Sequence, residues 1–304
     1  MNAAIRIMAP FFAPYFARHQ HAVLSARFRK ALGRKRQDPP RSFYDKIFWM
    51  SENTDTSLWT ACADKVGVRS YVADRCGKSV LPELYATYDN ADEIDFDALP
   101  ERFVIKTNNG CASNYLVRSK SEIDLDAIRA RLAQWLRFPY GELTGQLHYA
   151  RIKPRILAEE LLSQDNDPDA TLIDYKFYCF GGEPKFCLAV SQRRLEENNA
   201  HAKMLYNLEW TPLATCFEGG TNLASVSGPT CLNEMIDVSV ALSQGIPFVR
   251  VDLYEVNEQV KFSEMTFMPG LNSGFTEEFQ LELGNEIVLP EFCDRQGMPG
   301  DTNA

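Results

Sequence analysis

Two acids and an arginine stand close together in FVRVDLYEVNEQVKFSEMTFMPG, residues 248–270. Two runs of strand composition flank a polar turn, and Asp252 and Glu264 interrupt surfaces that are otherwise apolar. Strand side chains alternate, so Arg250, Asp252 and Tyr254 share a face of the first run, and Phe262, Glu264 and Thr266 a face of the second. The turn decides whether those faces coincide. A two-residue turn at Asn257–Glu258 pairs Asp252 with Ser263 and sends Glu264 to the opposite side. A three-residue loop, Asn257-Glu258-Gln259, pairs Val256 with Val260, Asp252 with Glu264 and Arg250 with Thr266. It also gathers Val249, Val251, Leu253, Met265 and Phe267 on the other face. A one-residue slip would scatter that apolar set, so the pattern selects the three-residue loop.

Carboxylates directly opposite one another repel and need compensation. Arg250 supplies one positive charge. A divalent cation supplies the rest, and hard oxygen donors suit Mg²⁺, which keeps open positions for substrate phosphates. The plain alternative is an exposed face with a cross-strand Arg–carboxylate pair. A second cation stands in FVIKTNNGCASN, residues 103–114. Lys106 ends an apolar strand on the face of Val104, where an ammonium needs an anionic partner. The small-residue loop behind it can turn backbone N–H groups toward phosphate. A lysine snorkelling from a sheet edge is the competing reading. Neither G-x-x-x-x-G-K-[ST] nor G-x-G-x-x-G occurs.

The elements that must hold these residues mix helices and strands without steady alternation, which favours an α+β fold. A helix is expected over 57–76, a strand at RFVIKT, and an amphipathic helix from Ser121, with Leu125, Ile128, Leu132 and Trp135 on one side. PRILAEELL reads as a strand. DYKFYCF-GG-EPKFCLAV is the clearest hairpin, its Gly-Gly turn placing Cys179 opposite Pro184 and Cys187 on the other side. CLNEMIDVSVALSQGI is a helix stopped at Gly245. Residues 192–232 carry no clear pattern, and the chain closes in a short acidic tail. The expected divisions are a basic helical arm at 1–41, a small N-terminal domain at 42–100, a subdomain at 101–162 and a second at 163–304.

The chain has 304 residues, 45% apolar and 24% charged, with a net charge of −9. Residues 1–41 hold nine Lys/Arg against one acid, a net of +8, which leaves −17 for the remainder. So acidic a body argues against nucleic acid as a partner. The basic arm suits contact with an anionic membrane surface or an acidic partner, the alternative being a solvated Arg-rich helix. No run reaches the roughly 20 apolar residues that span a bilayer, and no cleavable leader is expected. Eight cysteines show neither C-x-x-C nor zinc spacing, which fits free thiols in a reducing cytoplasm.

The order of these pieces resembles the ATP-grasp superfamily, and within it the TupA-like ATP-grasp family, linked to teichuronopeptide and cell-surface polysaccharide assembly. The resemblance covers about residues 43–280. It rests on DK at 64–65, FVIKTNNG, ILAEELL, DYKFYCFGGEP, and the R-x-D and E-x-T-x-x-P-G of the opening stretch. It implies two α+β subdomains clasping a nucleotide, with ATP and Mg²⁺ as cofactors.

By that resemblance, Lys106 and Lys65 hold phosphates beneath a lid containing Gly110 and Ser113. The backbone of Glu159, Glu160, Leu161 and Leu162 meets adenine, Asp174 or one of the nearby acids suits the ribose, and Lys176 lines the cleft. Arg250 faces the γ-phosphate, with Asp252, Glu264 and Thr266 at the metal. Arg193 and Arg194 are candidates for an acidic acceptor or a phosphoryl oxygen, the alternative being a pair of surface arginines. Thr266 departs from the Glu-x-Asn found in many relatives, which puts a second metal in doubt. The implied activity is an ATP-dependent carboxylate–amine ligase acting through an acylphosphate on a carboxylate-bearing saccharide and an amine. The rivals are a glycosyltransferase, with D-x-D at 95–97 or 124–126, and a non-catalytic Mg·ATP-binding module.

Overall fold

The computed structural model describes residues 3–191, 202–219, 221–271 and 273–291, with side chains from residue 9 onward. Helices α1 (Ala3–Arg18), α2 (Gln20–Leu32), α3 (Phe43–Asn53), α4 (Ser57–Ala63) and α5 (Val68–Cys76) come first. Strands β1 (Leu84–Tyr88), β2 (Phe103–Thr107) and β3 (Asn114–Val117) precede α6 (Leu125–Leu136), α7 (Tyr140–Thr144) and α8 (Leu147–Ala150). Then follow β4 (Ile156–Glu159), β5 (Asp174–Phe180), β6 (Glu183–Ser191), β7 (Ala202–Tyr206), α9 (Leu232–Ser243), β8 (Phe248–Val256), β9 (Gln259–Thr266) and α10 (Glu277–Glu286). The expected α+β class is borne out.

The expected helix over 57–76 is split into α4 and α5. Asp64 causes the break: its carboxylate accepts from the Val66 N–H at 2.9 Å, an Asx turn that competes with the helix ladder. Helix α6 begins later than Ser121, because Asp124 is the cap and accepts from the Ala127 N–H at 2.9 Å. The short helices α7 and α8 went unread in the sequence, and so did two elements of the second half, β7 and α10. The first is a short strand whose role is set by the neighbour it pairs with. The second hides in an acidic run, capped by Thr276.

The chain forms two compact units. One joins Met1–Val23 to Trp59–Ala170; the other joins Leu24–Leu58 to Thr171–Ala304. The first holds an antiparallel sheet in the order β1-β4-β2-β3. Alternation sends Phe103 and Ile105 of β2 to one face, where they pack with Ala158, Ile128 and Leu132 under α6. Val104 and Lys106 take the other face, opposite Glu159 and Leu157.

The second unit holds an antiparallel sheet in the order β7-β6-β5-β8-β9. Helix α9 packs on β5, β6 and β8 and buries Met235, Val238 and Leu242. The opposite face is divided. Its lower part is aromatic: Tyr178 stacks on Phe186 at 4.7 Å, Phe43 of α3 meets Phe248 edge-on at 4.8 Å, and Phe279 of α10 lies 5.6 Å from Phe186. Its upper part carries charge. Helix α3 is held by a capping box between Ser42 and Asp45, and Arg34 pairs with that same Asp45 at 3.1 Å.

Bulges correct two expected registers. In the β5–β6 hairpin Lys185 is the extra residue, so Tyr178 opposes Phe186 and Phe177 opposes Cys187. Cys187 therefore shares the face of Phe177 and Cys179 instead of the opposite one. All seven described cysteines are free, and burial pushes the Cys179 thiol up to about 12.

Candidate active site

The β8–β9 hairpin turns in two residues. Asn257 and Glu258 both have positive φ, 51° and 62°, and Val256 pairs with Gln259. The expected three-residue loop does not form. The expected pairing of the acids forms all the same, because β9 bulges at Ser263: Leu253 opposes Phe262, while Asp252 opposes Glu264 and Arg250 opposes Thr266. The bulge moves Phe262 from the face of Glu264, where alternation put it, to that of Leu253. Val260, Phe262, Met265 and Phe267 are all buried as a result. The apolar demand of one face thus keeps the acids together on the other.

Arg250 organises those acids. Its Nε donates to Asp252 Oδ1 at 2.6 Å and its Nη2 to Oδ2 at 2.7 Å. The same Nη2 lies 3.3 Å from Glu264 Oε1 and 3.0 Å from Thr266 Oγ1. Lys176 donates to Asp252 Oδ2 as well, at 2.6 Å, and lies 3.3 Å from Asp174. Asp252 has no solvent exposure, and burial works to raise its pKa. The Arg250 and Lys176 charges outweigh burial and hold the carboxyl below its ordinary value. Burial alone would lower the Arg250 pKa, but Asp252 holds it well above the ordinary value.

These residues can be tested against a divalent cation. Among the described residues no three His, Cys, Asp or Glu side chains are grouped to hold a metal. Two carboxylates and one hydroxyl do converge, and they converge on a cationic nitrogen, Arg250 Nη2. Oxygens that already surround one positive centre fit a hard cation, once the guanidinium yields its place. Glu264 is the more accessible, its side chain 36% exposed against 1% for Asp252.

Two further residues belong to this face and went unseen in the sequence. Lys203 of β7 opposes Val190, which opposes Asp174. Its ammonium donates to the Ser273 carbonyl and lies 5.5 Å from the centre of the Phe217 ring, and burial lowers its pKa. No carboxylate among the described residues pairs with it. The Tyr44 hydroxyl donates to the Gly270 carbonyl at 2.9 Å and meets the Ser273 hydroxyl at 2.8 Å, tying down the segment after β9. Neither could be found by spacing, since both depend on long-range pairing.

In the other unit the Lys106 ammonium is bonded to the Glu159 carboxylate, whose second oxygen lies 3.8 Å from Arg69. The anionic partner expected for Lys106 is thus a side chain of the neighbouring strand. Glu160 is also engaged: its N–H donates to the Glu83 carbonyl at 2.8 Å, and its carboxylate accepts from the Glu83 N–H at 3.1 Å. No backbone hydrogen bond among the described residues engages Leu161 or Leu162. The loop between β2 and β3 is pinned at several points. Thr107 bonds Ser113 by side chain and backbone, and Asn108, fully buried, bonds Asp64 and Lys153. Lys65 donates to the Gly110 carbonyl at 2.6 Å, and a side chain at Gly110 would press on the Tyr140 ring at 3.2 Å.

Arg193 and Arg194 lie outside the described residues. The D-x-D candidates have local duties: Asp95 accepts from the Asp97 N–H at 3.0 Å, and Asp124 caps α6.

The family model for TupA-like ATP-grasp proteins matches residues 45–288, well over half of the chain. The chain belongs to the TupA-like ATP-grasp family. With the family comes the expected enzyme class, the ATP-grasp enzymes. No curated protein matches the chain in sequence. Among solved structures it is similar to the D-alanine–D-alanine ligase from Bacillus anthracis complexed with ATP, at 13% identity and a TM-score of 0.47, over 77% of this chain and 67% of that one. The ligase of the same name from Helicobacter pylori is 14% identical, TM-score 0.40, over 82% of this chain and 68% of that one. The ATP-grasp ligase PsnB with its minimal precursor is 12% identical, TM-score 0.40, over 72% of this chain. This chain covers 57% of PsnB, less than two thirds of its length.

Proposed function

We propose that this TupA-like ATP-grasp protein is an ATP-dependent carboxylate–amine ligase that modifies a cell-surface polysaccharide or its precursor. The observation that carries the reading is the convergence of Asp252, Glu264 and Thr266 oxygens on the Arg250 guanidinium. An acid pair bridged by a cation, on the rim of an aromatic core, fits a Mg·ATP phosphate site.

Each residue has a task in this reading. Asp252, Glu264 and Thr266 hold Mg²⁺, which when bound neutralises phosphate charge. Arg250 leaves its bidentate contact and turns to the γ-phosphate. Lys176 stays on Asp252 and keeps it ionised and oriented. Asp174 serves the ribose, and Lys106, oriented by Glu159, takes the α- and β-phosphates. Leu161 and Leu162 offer the backbone pair to adenine, in support of which Glu159 and Glu160 are already engaged elsewhere. Lys65 braces the lid at Gly110 and Ser113. Lys203, a half-buried cation without an acid partner among the described residues, receives a substrate carboxylate.

The substrate carboxylate oxygen attacks the γ-phosphorus as the bond to ADP breaks. The amine nitrogen then attacks the carbonyl carbon of the acylphosphate, and inorganic phosphate leaves with its bonding pair and takes up the proton that the amine sheds. The protein's work is placement and charge neutralisation. Losing one such electrostatic contact costs about 10²–10³ in rate.

The test uses the full chain with Mg·ATP, candidate uronic acids and amino acids, and follows ADP. Hydroxylamine in place of the amine captures the acylphosphate as a hydroxamate. Carboxylate-dependent ADP and hydroxamate are expected. A thermal shift with UDP-sugars and none with Mg·ATP would overturn the assignment in favour of glycosyl transfer.

A further inference from the structure

Helix α1 has two unlike sides. One is docked within its own unit: Ala9 is buried, α1 packs on α7, and the Gln20 amide donates to the Phe16 and Glu142 carbonyls at 2.8 and 3.3 Å. The other side is exposed and aromatic. Phe11 is 77% exposed, Phe12 51% and Tyr15 61%, half of the large hydrophobic side chains that the described residues leave in solvent. At 100° per residue Phe11, Phe12 and Tyr15 fall within one ~100° arc, and Arg18 and His19 continue that arc at the helix end. His19 stacks on Tyr15 at 4.3 Å and steadies the edge of the patch.

Charge identifies what covers this face. Residues 1–37 contain no Asp or Glu and eight Lys/Arg, in a chain of net charge −9. Arg18, which continues the aromatic arc of α1, is exposed. Bulky aromatic residues beside basic ones, with no carboxylate among them, are the composition of a helix lying in the headgroup layer of an anionic bilayer. Geometry excludes spanning. At 16 residues α1 is ~24 Å long, short of a hydrocarbon core, and no helix among the described residues is long and apolar enough to cross a membrane. A second copy of the chain would meet the same positive field and repel it.

We propose that α1 lies on an anionic lipid surface, with Phe11, Phe12 and Tyr15 inserted at the boundary between headgroups and acyl chains and Arg18 against lipid phosphates. The contact needs neither nucleotide nor the acids of β8 and β9, so it stands or falls apart from the ligase reading.

Vesicle co-sedimentation of the full chain decides it, with phosphatidylcholine alone against phosphatidylcholine mixed with phosphatidylglycerol. Binding to the mixed vesicles is expected, at least tenfold tighter than to the neutral ones and weakened by salt. The triple change Phe11→Ser, Phe12→Ser, Tyr15→Ser should lower that binding at least tenfold. Arg18→Glu should lower it while leaving the three aromatics in place. Both variants should keep the wild-type melting temperature, since these side chains support no core. Wild-type protein that ignores anionic vesicles, or a triple variant that binds them as well as wild type does, overturns the proposal. So does concentration-dependent self-association that the triple change abolishes without any vesicle binding, which would assign the face to a second copy.

Discussion

Asp252 and Glu264 stand directly opposite each other on paired strands, and a single arginine nitrogen touches both. Their proximity is sustained by a bulge at Ser263 and by a cation placed between them. Each of these features can be disturbed separately.

The acids themselves come first. Glu264→Gln should lower Mg·ATP turnover by about 10²–10³ with little change in melting temperature, because Glu264 is partly exposed. Asp252→Asn should lower turnover as much and also destabilise the fold by ~3–5 kcal/mol, since Arg250 and Lys176 lose a buried counter-charge. Steady-state ADP release beside thermal melts separates the two. Unchanged ATP consumption in either variant removes the proposed metal site.

Arg250 stands among the oxygens assigned to the metal. Arg250→Gln should therefore gain Mn²⁺ or Mg²⁺ binding in the absence of nucleotide, seen by Mn²⁺ spin resonance and as a metal-dependent rise in melting temperature. The wild-type protein should show either effect only weakly without ATP. Its turnover, by contrast, should exceed that of the variant by at least 10².

Acid should reveal the buried carboxylate. The Asp252 pKa is lowered on folding, burial being outweighed by Arg250 and Lys176. Its ionisation thus contributes stability that is fully present above the unfolded value of about 3.9 and is lost as pH falls through the folded one. Urea titrations should give a constant gap between wild type and Asp252→Asn above about pH 5, narrowing below it. A gap independent of pH down to about pH 3 would contradict the pairing.

The turn offers a test of stability alone. Glu258 has a φ of 62°, a left-handed conformation that costs a residue with a Cβ about 1–2 kcal/mol. Glu258→Gly should raise the melting temperature and completes the Asn-Gly pair that a two-residue hairpin prefers. Asn257→Val should lower it. Neither should change turnover, as the register beyond Ser263 is held by Val260, Phe262 and Met265.

Much was legible in the sequence because it depends on neighbours along the chain. Gly181–Gly182 marked the β5–β6 turn, the spacing of Ile128 and Leu132 marked α6, and alternation set Arg250 beside Asp252 on one face. The ordered motifs around these residues were enough to indicate the family. Tertiary structure decided the rest. The bulges at Ser263 and Lys185 arise because buried apolar residues on both sides of a turn must reach the same core, a demand that a local pattern cannot count. The Glu159–Lys106 pair and the contact of the half-buried Lys203 with Ser273 join residues far apart in sequence. Their charges are settled by who stands opposite, and only the folded sheets determine that.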